Sequence, residues 1–212
     1  MIYLFSGLGA DHRVFQFLDL KDYPTKTIEW VLPFPSETLE LYAQRLIHEQ
    51  IQQKDNLILI GVSFGGIVAT EVAKILKPRR VILISSVKNK HELPIYYRWI
   101  GMLQLDRWIP ARWLLTPTLL TYYSFGVRSK QEIDLLNDIL RNTDPIFLKW
   151  AIRQILTWQS IQKIENLVHI HGDKDRILPY KYTRNTIPIH AGGHLMIIRQ
   201  VTQINAFISK LI

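Results

Sequence analysis

The chain has 212 residues, 48% of them apolar and 21% charged, with no cysteine and a formal net charge of +8. One domain-sized core is expected at this length, no stretch approaches the ~20 continuous apolar residues of a membrane span, and the lack of cysteine excludes disulfides, thiolate metal ligands and a cysteine nucleophile. The positive charge invites nucleic acid or anionic lipid, but the basic residues are scattered, and Lys77-Pro78-Arg79-Arg80 reads as a solvated helix end and turn, so nucleic acid is not an expected partner.

In chain order, Met1 to Ala10 lacks a basic leader segment, and its apolar run is shorter than a signal-peptide core. It is read as a first strand, Ile2 to Phe5, of a cytoplasmic protein. Further β-branched or apolar runs follow at Thr25 to Trp30, Asn56 to Ile60, Arg80 to Ser85, Asn166 to His171 and Asn185 to His190. Several are continuously apolar, the pattern of strands buried on both faces of a parallel sheet. Helical patterns lie between them. Ser36 is the expected N-cap of a helix with a 3.6-period stripe from Leu39 to Ile51, Phe64 to Leu76 is a second helix stopped before Pro78, and Leu195 to Ile212 is a terminal one. Alternating strands and helices predict a doubly wound, mostly parallel α/β sheet of about six strands. From Val87 to about Gln159 the alternation stops. This stretch holds many aromatics and helical patterns, including Ser129 to Arg141 and Asp144 to Trp158. It is too long for a plain connection, and is expected to be a helical cap inserted at 87–159 into a single domain spanning 1–212.

The segment Gly61-Val62-Ser63-Phe64-Gly65 joins the third strand to the second helix. G-x-S-x-G is weak evidence by itself, but at a strand–helix junction it is the geometry that holds a serine at φ > 0 with its hydroxyl exposed. Gly61 and Gly65 would be required because a Cβ there would collide as strand and helix close on each other. A phosphate-cradling loop is disfavoured by the missing G-K-[ST] ending and GxGxxG spacing. A nucleophilic serine needs a base and a group that orients the base. Asp175 follows the fifth strand and His194 the sixth, so Ser63, Asp175 and His194 arrive in the order expected from successive strand ends.

These residues resemble the α/β-hydrolase family. Gly61-Val62-Ser63-Phe64-Gly65 is similar to its nucleophile elbow, His171-Gly172-Asp173-Lys174-Asp175 with Pro179 to its acid turn, Gly192-Gly193-His194-Leu195 to its histidine turn, and Ser6-Gly7-Leu8-Gly9 to its oxyanion loop. The resemblance runs from end to end of the chain. It implies Ser63 as nucleophile, His194 as base, Asp175 as orienter, the backbone N–H groups of Leu8 and Phe64 as oxyanion hole, and no cofactor. Two features depart from the family pattern: Ser6 stands where a histidine is common, and the family's usual first two strands are absent.

His190 is the rival base, although it lacks the glycine turn, and Asp173 is the rival orienter. His12, His48 and His91 are read as surface residues. His169-Ile170-His171-Gly172-Asp173 has the HxHxD spacing of a metallohydrolase, but Lys174 follows, and hydrogen-bonded sheet histidines are the stronger reading, with no metal site. The cap sequence is aromatic and, from Val87 through Lys130, carries seven basic residues against two acidic ones. Packing of these aromatics inward around an apolar acyl pocket is preferred over membrane contact. No stable membrane insertion is expected, only weak interfacial contact through the cap. The expected activity is hydrolysis of an ester or thioester of a small, apolar acyl substrate. The alternative is a small-molecule receptor, or a lyase or cofactor-free oxygenase or peroxidase on the same fold.

Overall fold

The computed structural model describes residues 1–212. Strands β1 (Ile2–Phe5), β2 (Thr25–Ile28), β3 (Ile58–Val62), β4 (Arg80–Ile84), β5 (Leu167–Gly172) and β6 (Ile187–Ile189) form one sheet in the order β2-β1-β3-β4-β5-β6. Every neighbouring pair is parallel. Successive side chains enter opposite layers, as a period of two dictates. Tyr3, Phe5, Leu59 and Leu83 join the core on one face, and Ile2, Leu4, Ile60 and Ile82 the core on the other. This two-sided burial explains the unbroken apolar runs. Each fully buried Leu or Ile contributes roughly 1.5 to 3 kcal/mol relative to exposure.

Helices α1 (Leu39–Gln50) and α2 (Phe64–Leu76) cover the first face, while a 3₁₀ turn at His12–Phe15 and helices α8 (Met196–Arg199) and α9 (Val201–Ile208) cover the second. The predicted N-cap of α1 is corrected. Thr38, not Ser36, caps it, its hydroxyl accepting from Leu41 N–H at 3.3 Å. Ser36 instead has φ 62, inside a turn tied by Glu37, whose carboxylate accepts from Phe34 N–H and from Arg45. The terminal helix is likewise two helices, broken at Gln200 (φ −97, ψ 24).

Between β4 and β5 the chain forms no strand but five helices: α3 (Ile95–Met102), α4 (Ala111–Leu115), α5 (Leu119–Phe125), α6 (Lys130–Asn142) and α7 (Pro145–Thr157). Ser129 caps α6 in a reciprocal capping box with Glu132, and Asp144 caps α7, with Pro145 in its first turn. Helix α7 belongs to the core. Phe147, Ala151 and Trp158 pack with α2, and the Trp158 indole donates to the buried Glu71 carboxylate at 2.6 Å. The outer helices differ from the expected inward packing. Trp99, Trp108, Trp113 and Tyr123 are exposed, and no residue of α4 or α5 is buried. Helices of eight, five and seven residues cannot enclose aromatics on more than one side.

Strand β3 meets α2 at Ser63, which has φ 52 and ψ −121. A Cβ on Gly65 would lie 2.1 Å from the Ser6 carbonyl oxygen and 2.2 Å from that of Phe5, and one on Gly61 would lie 2.5 Å from Gly66 Cα. These obstacles are backbone, so they cannot rotate away. On β5, His169 and His171 are buried side by side, with His169 Nε2 and His171 Nδ1 3.0 Å apart. His171 Nε2–H donates to the Leu178 carbonyl at 2.7 Å, since a carbonyl can only accept. Burial, then the neighbouring His171 and Lys88, hold His169 well below the ordinary imidazole range.

Two outcomes follow from this packing. Gly65→Ala should destabilise the fold by about 3 kcal/mol or more, toward the severe end of overpacking. Gly7→Ala should cost less, because its Cβ would meet nothing nearer than Ser63 Cβ at 3.7 Å, an ordinary contact. Urea midpoints measure both, and equal midpoints would contradict the backbone-collision argument. His169 stays neutral in the folded chain but takes a proton when unfolded below about pH 6.5, so the unfolded state binds more protons and stability falls with acidification. Between about pH 6.5 and pH 5 the slope from this group should approach ~1.4 kcal/mol per pH unit, and His169→Gln should remove it. An unchanged slope in the variant would refute the assignment.

Candidate active site

The order β2-β1-β3 makes the β1/β3 boundary the point where the chain's winding reverses, and loops at the carboxyl ends of these strands open a crevice there. Ser6–Ala10 leaves β1 and Ser63 leaves β3. From the later strands come the turn ending at Asp175, after β5, and that ending at His194, after β6. Ser63 Oγ lies 2.8 Å from His194 Nε2, and His194 Nδ1 lies 2.8 Å from Asp175 Oδ2. The three sequence-predicted side chains are therefore joined in one hydrogen-bonded chain.

Each member is fixed from behind. Ser63 N–H donates to Ile84 O at 3.0 Å, and its carbonyl accepts from Gly66 N–H at 2.9 Å and the Ser86 hydroxyl at 2.7 Å. Its hydroxyl alone is left to face the imidazole. Asp175 Oδ1 accepts from the Ile177 and Leu178 N–H groups, both at 2.9 Å, and Oδ2 lies 3.3 Å from His171 Nε2 besides its bond to His194. Burial raises the Asp175 carboxyl, but the His194 charge and the hydrogen bonds from His171 and His194 outweigh it and hold the group well below the usual carboxylate range. An ionised acceptor at Nδ1 keeps the lone pair of His194 on Nε2, toward the serine. The edge of Phe125, at the end of α5, closes over the imidazole with ring centroids 5.6 Å apart.

Leu8 N–H makes no hydrogen bond within the protein, and Phe64 N–H opens α2, where no carbonyl of the helix lies a turn behind it. Both are free donors, one on the loop after β1 and one at the first residue of α2 next to Ser63. The loop carrying Leu8 is firmly tied. Ser6 Oγ, fully buried, donates to the Ala10 carbonyl at 2.6 Å, Ala10 N–H donates to Gly7 O at 3.0 Å, and the Trp30 indole donates to Gly7 O at 3.2 Å. The departure at Ser6 thus supplies its own support. Trp30 also stacks against Phe64 and Phe147, at 5.6 and 5.7 Å.

The rivals are placed elsewhere. The His190 side chain is 89% exposed and faces Asp173 at 3.2 Å, away from the Ser63–His194 pair. The ring nitrogens of His169 and His171 face one another, Leu178 and Thr186. Trp30, Ser86, His171 as a neighbour of Asp175, and Phe125 were not anticipated in these roles. Ser86 alone carried a signal, lying just beyond the carboxyl end of β4 beside the elbow.

The sequence model of the alpha/beta hydrolase family matches residues 3–206. No curated protein matches the chain. Among solved structures, a lipase-esterase related protein from Clostridium acetobutylicum is similar at TM-score 0.71 and 16% identity, covering 100% of this chain and 93% of that one. An enol-lactonase from Burkholderia xenovorans is similar at 0.68 and 14%, covering 99% and 90%. A bromoperoxidase from Bacillus anthracis is similar at 0.65 and 14%, again covering 99% and 90%. At such identities the structural likeness speaks for the fold alone, but with the family model spanning nearly the whole sequence, the chain belongs to the alpha/beta hydrolase family.

Proposed function

We propose that the protein is a serine hydrolase that cleaves an ester or thioester of a small, apolar acyl substrate. The observation that carries this reading is the unbroken chain from Ser63 Oγ through His194 to Asp175, with both links at 2.8 Å. Ser63 Oγ attacks the acyl carbonyl while His194 Nε2 takes its proton. Asp175 keeps the imidazole in the receptive tautomer and stabilises the imidazolium. The tetrahedral oxyanion is met by the N–H groups of Leu8 and Phe64, and the start of α2 adds its positive dipole end. His194 then delivers the proton to the leaving oxygen or sulfur, and the C–O or C–S bond breaks to give the acyl-enzyme. A water activated by the same imidazole releases the acid. Beside the oxyanion loop Trp30, whose indole bonds Gly7 O, offers a partly exposed apolar ring to the acyl group, with Phe64 and Phe147 buried behind it.

Ser63→Ala should lower kcat/KM for a short activated ester by on the order of 10⁴-fold and abolish fluorophosphonate labelling. Labelling retained at another serine would overturn the assignment. Ser6→Ala removes the hydroxyl that holds Ala10 O and loosens the loop carrying Leu8 N–H. Its effect should be a several-fold to roughly tenfold fall in kcat with KM nearly constant, because an oxyanion donor acts in the transition state. Steady-state kinetics separate the two parameters, and a rise confined to KM would place Ser6 in substrate binding instead.

A further inference from the structure

Twelve of the nineteen large hydrophobic side chains that stand exposed on this protein lie between Ile95 and Tyr123. On α3, Ile95, Trp99 and Met102 are spaced four and three residues apart and so form one stripe, with Arg98 beside it. On α5, Leu119 and Tyr123 repeat that spacing. Trp108 and Leu119 are each 85% exposed, which leaves nearly the whole side chain in water. Scattered exposed leucines are ordinary, but such a concentration marks an interaction surface.

The charges on the same segment are one-sided. Arg98, Arg107, Arg112, Arg128 and Lys130 are exposed, and none makes an ion pair. From Leu93 to Gln131 the one carboxylate is Asp106. It is buried, and Arg153 of α7 neutralises it at 2.9 Å. The surface therefore offers apolar side chains and unpaired cations, with no exposed carboxylate. Between them a solvent-open depression of about 500 Å³ is lined by Met102, Leu103, Gln104, Arg107 and Trp108.

We propose that the outer surface of α3, α4, α5 and the turn Leu105–Trp108 docks onto an anionic lipid surface. The charge pattern demands an anionic partner. Between a lipid surface and an acidic protein, the shape favours lipid. Side chains that project by most of their length from several short elements would hold a rigid partner off and leave voids, whereas headgroups and acyl chains flow around them. Tryptophan and arginine together suit the interfacial zone, the ring in the hydrocarbon edge and the guanidinium among phosphates. The docked helices reach the candidate site. Tyr123 O accepts from Arg176, whose guanidinium lies over the Tyr123 ring at 3.9 Å, and Phe125 touches His194.

The test uses the full chain, purified, and sedimentation with vesicles, a readout that does not depend on hydrolysis. Binding is expected to vesicles of phosphatidylcholine containing about 30% phosphatidylserine, and to weaken with salt. Arg98→Gln, Arg107→Gln and Arg112→Gln combined should reduce partitioning on the order of 100-fold on these vesicles, at about fivefold per cation, with little change on neutral ones. Trp108→Ser, Leu119→Ser and Leu120→Ser combined should weaken binding to both. All six positions are exposed, so both variants should keep the wild-type urea midpoint and wild-type turnover of a soluble ester without vesicles. Failure to sediment, or binding indifferent to both variants, would overturn the proposal. So would a dimer in solution that the serine variant dissociates, since the surface would then belong to a second copy.

Discussion

The approach of α2 to the ends of β1 and β3 governs this molecule. At Gly65 the helix backbone comes so near the Phe5 and Ser6 carbonyls that a single methyl group has no room, and at Gly61 the strand meets the helix as closely. That proximity forces Ser63 into a positive-φ conformation which a β-strand followed by an ordinary turn would avoid. The cost is carried by the core on both faces of the sheet, where β1, β3 and β4 are almost completely buried. A serine so held does not need to search for its partner. Its backbone is bonded on both sides, and its hydroxyl meets an imidazole brought from 131 residues away.

Behind the serine, the buried carboxylate and the histidines beside it are hydrogen-bonded. Asp175 has three hydrogen-bond donors on its two oxygens and His171 Nε2 at 3.3 Å, which is why a carboxylate can stay ionised in a place that burial alone would make hostile to charge. His171 takes part twice, as neighbour to the carboxylate and as hydrogen-bond partner of His169. The histidines that resembled a metal-binding spacing in the sequence serve here as a polar buttress within the sheet. The same logic roots the segment between β4 and β5, where Glu71 ties α2 to Trp158 and Glu132 ties α6 to Arg199 of the terminal helices.

What was legible in the sequence was what depends on local pattern. The bounds of α2 follow from a glycine elbow at one end and Pro78 beyond the other, and the capping residues Ser129 and Asp144 marked the starts of α6 and α7 unambiguously. Ser63, Asp175 and His194 were found because each follows a strand in a fixed order. The N-cap of α1 was misplaced because Ser36 has the right chemistry but the wrong backbone, pinned in a turn by Glu37 and Arg45, a tie between residues eight apart. Trp30 was invisible because its partner, Gly7, is a neighbour only through the pairing of β1 with β2. The exposure of the tryptophans was misread for a related reason. Periodicity tells which residues share a helix face, but whether anything covers that face depends on how the short helices are stacked, and here α7 takes the inner position.

The outer helices and the site are joined at few places, and those places have unequal stiffness. Helices α3 and α4 rest on α7 through Asp106, Arg153 and Lys149, and Tyr97 bonds the Ile177 carbonyl on the turn that also binds Asp175. Helix α5 is attached through Arg176, Asn137 and the contact of Phe125 with His194. A force on the exposed residues therefore reaches the acid turn through hydrogen bonds between side chains and backbone, and the histidine turn through packing, Phe125 on the His194 ring and Gly126 beside Gly193. Asp175 and His194 would respond differently if the outer helices shifted, the first held by its three donors and the second able to lose a packing partner. In the proposed mechanism the group that stays ionised is thus the better insulated, and the one that gains and loses a proton is the one the outer helices touch.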